Sequence, residues 1–130
     1  MTDKKILIVD DEVHIRILME QTLEDLEDAG VELLTAGDGA TALAMIQEER
    51  PDLVFLDVMM PNMSGFEVCQ AVKADAELKN TYIIILTAKG QEFDINQGQA
   101  VGADRYMTKP FNPDQILQAA IDVLGLEVAV

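Results

Sequence analysis

Short apolar runs alternate with amphipathic segments along this chain, and the alternation predicts its secondary structure. Five runs have the length of strands: "KILIVDD", "ELLTA", "DLVFLD", "YIIILT" and "RYMT". The longer runs are continuously apolar, which is typical of strands that are covered on both faces. We therefore predict a sheet that is buried between layers of helices.

Each predicted strand is followed by a segment with apolar residues at helical spacing. The first helix is predicted from Ile15, Leu18, Met19, Thr22, Leu23 and Leu26. Three further helices carry residues that favour a helix start, which are Asp38, Ser64 with Glu67, and Asn112 before Pro113. Residues 89–101 predict a weaker fourth helix, because few apolar positions stand there among many polar ones.

Five strand–helix pairs of this kind imply a parallel sheet between helices, which is the doubly wound α/β class. A chain of 130 residues is long enough for one domain with its own core. Ligands of such folds bind outside the carboxyl ends of the strands. The residues at those ends should therefore decide the function.

The predicted strand ends carry reactive side chains. Asp10 and Asp11 end the first strand, and the third, fourth and fifth end at Asp57, Thr87 and Lys109. Each residue also has an ordinary structural interpretation: Asp11 could cap the first helix and Asp57 could stabilise a turn. Thr87 could be a simple strand residue and Lys109 a solvated lysine. Because parallel strands end at one edge of a sheet, we expect these five residues to form a common site.

The chemistry of such a site follows from its charges. Three carboxylates at one edge repel each other unless a cation neutralises them. Mg²⁺ takes one or two carboxylates plus waters and leaves room for phosphate oxygens. One carboxylate can then attack phosphorus to form an acyl phosphate, while a lysine and a hydroxyl offset the charge on the phosphoryl oxygens. The residues therefore indicate phosphoryl capture.

Composition narrows the possible partners. The net charge of −15 argues against nucleic acid as a direct ligand, because phosphate binding needs clustered Lys and Arg. The aliphatic runs are too short to span a membrane, and no signal-peptide pattern is present. The single cysteine, Cys69, excludes an internal disulfide and suits a reducing cytoplasm. We expect Cys69 to be buried in a helix and the lone His14 to be exposed.

Four motifs together resemble the receiver domain of two-component response regulators: "ILIVDDE", "LVFLDVMMPNMSGFE", "IIILTAKG" and "GADRYMTKPF". The resemblance runs from Lys5 to about Leu124. It implies a flavodoxin-like (βα)5 fold with strand order 2-1-3-4-5 and a single receiver domain over residues 1–130. It also implies a signalling switch that takes a phosphoryl group from a sensor histidine kinase or a His-phosphotransfer protein. No enzyme activity is expected beyond Mg²⁺-dependent self-phosphorylation and self-dephosphorylation.

The resemblance implies a role for each residue at the sheet edge. Asp57 is the expected phosphoacceptor, and Lys109 is expected to contact the phosphoryl group. Mg²⁺, or Mn²⁺, is expected to be bound by Asp11 and Asp57 directly and by Asp10 through water. The backbone carbonyl of Met59 is the remaining expected ligand.

A conformational switch is implied as well. Thr87 is the expected switch hydroxyl and Tyr106 the switch aromatic, and together they should alter the face of the fourth helix, fifth strand and fifth helix that controls a downstream protein. The peptide bond before Pro110 is expected to be cis, and Lys89 is expected to tune the loss of the phosphoryl group. Arg105 stands where family members often carry an acid, which bears on the choice of partner.

Other functions fit the sequence less well. A flavin-binding module needs a Ser/Thr/Gly-rich phosphate cradle where this chain has "DDE". A Mg²⁺-dependent phosphohydrolase needs a general acid two residues after its nucleophile, where this chain has Met59. A degenerate receiver is disfavoured by the intact polar residues. The initiating Met and the short tail favour a stand-alone receiver over one excised from a longer regulator or hybrid kinase, and phosphorylation-dependent homodimerisation stays open.

Overall fold

The computed structural model describes residues 4–60, 63–88, 102–109 and 112–126. The strands are β1 Lys5–Val9, β2 Glu32–Ala36, β3 Leu53–Asp57, β4 Tyr82–Ala88 and β5 Arg105–Lys109. The helices are α1 Val13–Leu23, α2 Gly39–Glu49, α3 Gly65–Ala74 and α4 Pro113–Leu124, with a 3-10 helix at Glu24–Ala29. The predicted helix at residues 89–101 lies outside the described residues, so α4 is the fifth predicted helix.

The five strands form one parallel sheet in the order β2-β1-β3-β4-β5, which confirms the predicted fold class and strand order. In the register, Val9 pairs with Leu56 across β1 and β3, and Thr87 pairs with Thr108 across β4 and β5. The carboxyl ends of these strands therefore meet at one edge of the sheet.

The core lies in two layers, one on each face of the sheet. Leu53 and Phe55 belong to the layer under α1 and α4, whereas Val54 and Leu56 belong to the layer under α2 and α3. All four side chains have no exposed surface. Successive strand residues point to opposite faces, so a strand covered on both faces must be apolar throughout. Burial of each such side chain contributes roughly 1.5–3 kcal/mol.

Three of the predicted helix starts are confirmed by their capping hydrogen bonds. The side chains of Asp38, Ser64 and Asn112 each accept a backbone N–H two or three residues later, at 2.8, 3.2 and 2.8 Å. The first helix differs, since its N-cap is Glu12 and no side chain caps it. The interpretation of Asp11 as a helix cap is therefore wrong, and Asp11 is exposed at the edge of the sheet.

The apolar face of α1 is narrower than the sequence pattern predicts. Met19 and Leu23 are buried, but Leu18 is 44% exposed. Residues four apart share a helix face, whereas Leu18 is rotated about 100° away from Met19. The helix also ends at Leu23, and the buried Leu26 belongs to the following 3-10 helix.

Two smaller expectations are confirmed. Cys69 is buried in α3, and burial raises the pKa of its thiol to about 11. His14 lies on α1 with 76% of its side chain exposed. Across the described ranges, no helix is long and apolar enough to cross a membrane.

Candidate functional site

Three of the predicted residues are joined directly at the carboxyl edge of the sheet. The Nζ atom of Lys109 donates to Asp10 Oδ2 at 2.7 Å and to Asp57 Oδ1 at 2.9 Å. Asp10 is fully buried and Asp57 is 5% exposed. The ends of β1, β3 and β5 therefore form one charged cluster around a single ammonium group.

Local structure holds Asp10 in place. Its backbone N–H donates to the carbonyl of Ala36 at 3.2 Å, which extends the pairing of β1 with β2. Its Oδ1 atom accepts the N–H of Glu12 at 3.0 Å, just before α1 begins. Arg16 donates from α1 to the carbonyl of Asp10. With both carboxylate oxygens in hydrogen bonds, Asp10 is a rigid part of the site.

The electrostatic balance of the cluster is negative. Burial raises the pKa of Asp57 to about 6, although the hydrogen bond from Lys109 opposes the rise. Burial lowers the pKa of Lys109, but its hydrogen bonds to Asp10 and Asp57 outweigh this, and the net effect is a raised pKa. Lys109 therefore stays charged at neutral pH, yet its single charge does not fully offset the acids around it.

The donor set at the edge fits a hard divalent cation. Carboxylate oxygens of Asp10, Asp11 and Glu12 lie within 4.8 Å of one another. A cleft of about 320 Å³ is lined by Asp11 and Glu12 of this group, together with Asp57 and the 77% exposed Met59. Oxygen ligands with excess negative charge are what Mg²⁺ prefers. The residues present thus fit the cation that the sequence implied, and Glu12 is a member of the cluster that the sequence analysis did not select.

Thr87 and Tyr106 lie on the same face of the sheet, on the neighbouring strands β4 and β5. Ile85 pairs with Tyr106 and Thr87 with Thr108, so Thr87 is two residues nearer the carboxyl edge than Tyr106. The Thr87 hydroxyl and the Tyr106 hydroxyl are both buried, with no hydrogen-bond partner among the described residues. Burial also raises the pKa of Tyr106. A buried hydroxyl that has no partner among the described residues is a group that a new acceptor would reorganise.

Some predicted site residues are not described. Lys89 and Pro110 lie outside the described residues, so their expected roles stay predictions. Other residues were missed by the sequence analysis. A Cβ atom at Gly65 would lie 2.2 Å from the carbonyl oxygen of Asp57, so only glycine fits there. The "SG" in the third-strand motif contained this signal, whereas the contact of Arg16 with Asp10 left no sequence signal at all.

This fold, with an acidic cluster bridged by a lysine at its strand ends, defines a phosphoacceptor domain of the doubly wound α/β class. Residues 6–121 match the family model described as the response regulator receiver domain. The chain therefore belongs to the receiver domain family of response regulators.

The chain is similar to known proteins in sequence and, for one solved structure, in fold. PhoP, the alkaline phosphatase synthesis transcriptional regulatory protein of Bacillus subtilis, is 45% identical over 114 residues, covering 88% of this chain and 45% of PhoP. PilG of Pseudomonas aeruginosa is 37% identical over 115 residues, covering 88% of this chain and 83% of PilG. The structure of the chemotaxis response regulator CheY4 of Vibrio cholerae is 42% identical with a TM-score of 0.82, covering 94% of this chain and 99% of CheY4.

Family membership settles the general role. The chain is a receiver domain of two-component response regulators and acts as a phosphoacceptor switch. Receivers of this family are signalling switches, not conventional enzymes, and they interact with histidine kinases or phosphotransfer proteins. The chain spans slightly less than half the length of the PhoP relative.

Proposed function

We propose that Asp57 is the residue that accepts the phosphoryl group. The observation that carries the proposal is the position of Lys109, whose ammonium lies 2.9 Å from Asp57 and 2.7 Å from Asp10. Asp57 also lines the open cleft, so a donor can reach it. An Asp57 oxygen forms the new P–O bond while the P–N bond of a phosphohistidine donor breaks, and the imidazole that leaves takes up a proton.

The same proposal assigns the other groups at the edge. Asp11, Asp57 and the Met59 carbonyl would hold Mg²⁺ or Mn²⁺, with Asp10 helping through water. When bound, Mg²⁺ supplies positive charge to the phosphoryl oxygens. Lys109 provides a compact charge that can follow an oxygen as phosphorus moves from donor to acceptor. The excess negative charge of these carboxylates supports this assignment.

Small donors should work in addition to protein donors. The cleft of about 320 Å³ is open, so we propose that an acyl phosphate can phosphorylate Asp57 directly and that water can later remove the group. Met59, two residues after Asp57, has no proton to donate to a leaving group. Turnover of external phosphate esters is therefore not part of the proposal.

The signal would pass through the hydroxyls of Thr87 and Tyr106. A phosphoryl oxygen at Asp57 offers Thr87 an acceptor that its hydroxyl otherwise lacks among the described residues. Movement of Thr87 would make room for Tyr106, which lies on the same face of the sheet. The surface formed by β5 and α4 would then change and control a protein partner, with homodimerisation as one form of that control.

The remaining assignments follow the fold. We infer that residues 1–130 are one receiver domain, because a single sheet joins all five strands. We also propose a cytoplasmic location, where the buried thiol of Cys69 stays reduced.

Phosphorylation by a small donor tests the central assignment. Wild type incubated with acetyl phosphate and Mg²⁺ should gain one phosphoryl group by intact mass, and Asp57→Ala should gain none. Asp25→Ala is the matched control, since Asp25 is an exposed acid on the 3-10 helix. Modification of Asp57→Ala, or its absence from wild type, would exclude Asp57 as the acceptor.

A further inference from the structure

The first turn of α2 touches the segment that leads from Asp57 to α3. Gly39 is the first residue of α2 and is buried. A Cβ atom at Gly39 would lie 2.0 Å from the carbonyl oxygen of Met63 and 2.7 Å from its Cβ atom. Gly39 does not have a positive φ, so its backbone would accept any residue. Glycine is required there only because Met63 is so close.

The contact continues from Met63 to the site through short steps. Two residues after Met63, the N–H of Gly65 donates to the carbonyl of Val58 at 3.0 Å. Gly65 also packs on the carbonyl of Asp57, where a Cβ atom would be 2.2 Å away. Gly65 thus contacts the residues that directly precede Met59, and Gly39 contacts Met63.

We propose that Gly39 is a positioning residue of the site, and that α2 helps to set the position of the Met59 carbonyl through its contact with Met63. The inference rests on the proposed function, because Met59 is one of the metal ligands assigned there. An alanine methyl at Gly39 would force the Met63 carbonyl to move by about 1 Å. Metal ligands must keep their distances within about 0.2 Å, so a shift of this size reaching Met59 would weaken the site.

A purely structural role for Gly39 makes a different prediction. Alanine is the better helix former by roughly 1 kcal/mol, which offsets part of the cost of the clash. The stability of Gly39→Ala therefore does not separate the two roles. The affinity for Mg²⁺ does, because a residue that only stabilises the fold leaves the affinity of the folded protein unchanged.

The experiment compares Gly39→Ala with Gly125→Ala. Gly125 has φ +66 and no atom within 4 Å of an added Cβ, so its substitution strains the backbone without touching a neighbour. Wild type and both variants are titrated with MgCl₂ by calorimetry, below the temperature at which any of them unfolds. We expect Gly125→Ala to bind like wild type and Gly39→Ala to bind about tenfold more weakly or worse. Equal affinities for Gly39→Ala and wild type would overturn the inference.

A second readout keeps the inference separate from the proposed function. Without metal, the backbone amide shifts of residues 57–60 should change in Gly39→Ala and stay as in wild type in Gly125→Ala. If wild type bound no Mg²⁺, the metal assignment would fail, and these shifts alone would decide the role of Gly39.

A further pair of variants serves if Gly39→Ala does not fold. The carboxylate of Asp38 caps α2 by accepting the N–H of Thr41 at 2.8 Å. Asp38→Ala loosens the first turn without adding an atom, whereas Asp38→Asn removes the charge and keeps a good cap. Weaker Mg²⁺ binding in Asp38→Ala than in Asp38→Asn supports the inference, and equal binding overturns it.

Discussion

Lys109 and Asp57 are joined by a 2.9 Å hydrogen bond although β4 lies between their strands in the sheet. The lysine side chain therefore reaches across the end of β4, where Thr87 is buried. This arrangement places the ammonium, the carboxylate and the hydroxyl of the proposed switch within three neighbouring strands. It also makes the stability of the domain depend on the charge of its own site.

The burial of Asp57 predicts that its charge destabilises the fold at neutral pH. Its pKa in the folded protein is about 6, above its ordinary value of 3.8, so the folded protein holds the proton more tightly than the unfolded chain. Asp57 therefore stabilises the fold at low pH. As pH rises through 6 this stabilisation is lost, and the free energy of unfolding falls by up to about 3 kcal/mol. Without divalent cations, Asp57→Asn should be the more stable protein near pH 7.5 and similar to wild type near pH 4.

Urea denaturation at both pH values checks this prediction, with Asp25→Asn as the exposed control. A stability difference between Asp57→Asn and wild type that is the same at both pH values would contradict it.

Lys109→Met should have the opposite effect on stability. Removal of the ammonium leaves Asp10 and Asp57 as neighbouring buried acids without their shared cation. The loss of one partner from a buried ion pair costs about 3 kcal/mol, and the loss should shrink at low pH as Asp57 is protonated. Lys79→Met, at an exposed lysine, should change stability by less than about 0.5 kcal/mol. Equal unfolding free energies for the two variants would show that Lys109 does not neutralise the site.

Thr87→Val should separate stability from switching. The valine keeps the shape of threonine and removes a buried hydroxyl that has no partner among the described residues. Its free energy of unfolding should be the same as that of wild type or higher by up to about 1 kcal/mol. The variant should still be phosphorylated, but amide exchange across residues 102–109 should no longer respond to the phosphoryl group. A clearly less stable Thr87→Val would mean that the hydroxyl already has a partner before phosphorylation.

Two ion pairs of similar length should differ in how much they contribute to the free energy of unfolding. Lys73 donates to Asp104 at 2.7 Å and also to the carbonyls of Lys79 and Thr81, and its side chain is 16% exposed. Arg50 and Glu77 lie 2.9 Å apart but are 57% and 71% exposed. Lys73→Met should therefore lower the free energy of unfolding by about 2–3 kcal/mol, and Glu77→Gln by no more than about 0.5 kcal/mol. Thermal unfolding of both variants measures the difference, and similar losses would contradict the role of burial.

Local interactions made much of this fold predictable. The continuous apolar run of β3 and the caps at Asp38 and Asn112 depend on residues a few positions apart, so periodicity and composition identify them. The set of strand-end residues was predictable for a related reason. Parallel strands share one carboxyl edge, so Asp10, Asp57 and Lys109 were expected at that edge, while their spacing along it depends on the strand order.

The sequence by itself thus determined the layers of the domain, the edge that carries the site and the residues that reach it. Only the tertiary structure decided that Asp10 contacts Lys109 directly, that α1 begins at Val13 with Asp11 outside it, and that Gly39 touches Met63. Ninety-nine positions separate Asp10 from Lys109 along the chain, and a pattern of neighbouring residues cannot predict a contact at that separation. Contacts of this kind depend on how whole strands and helices pack, because packing determines which side chains and backbone atoms come into contact.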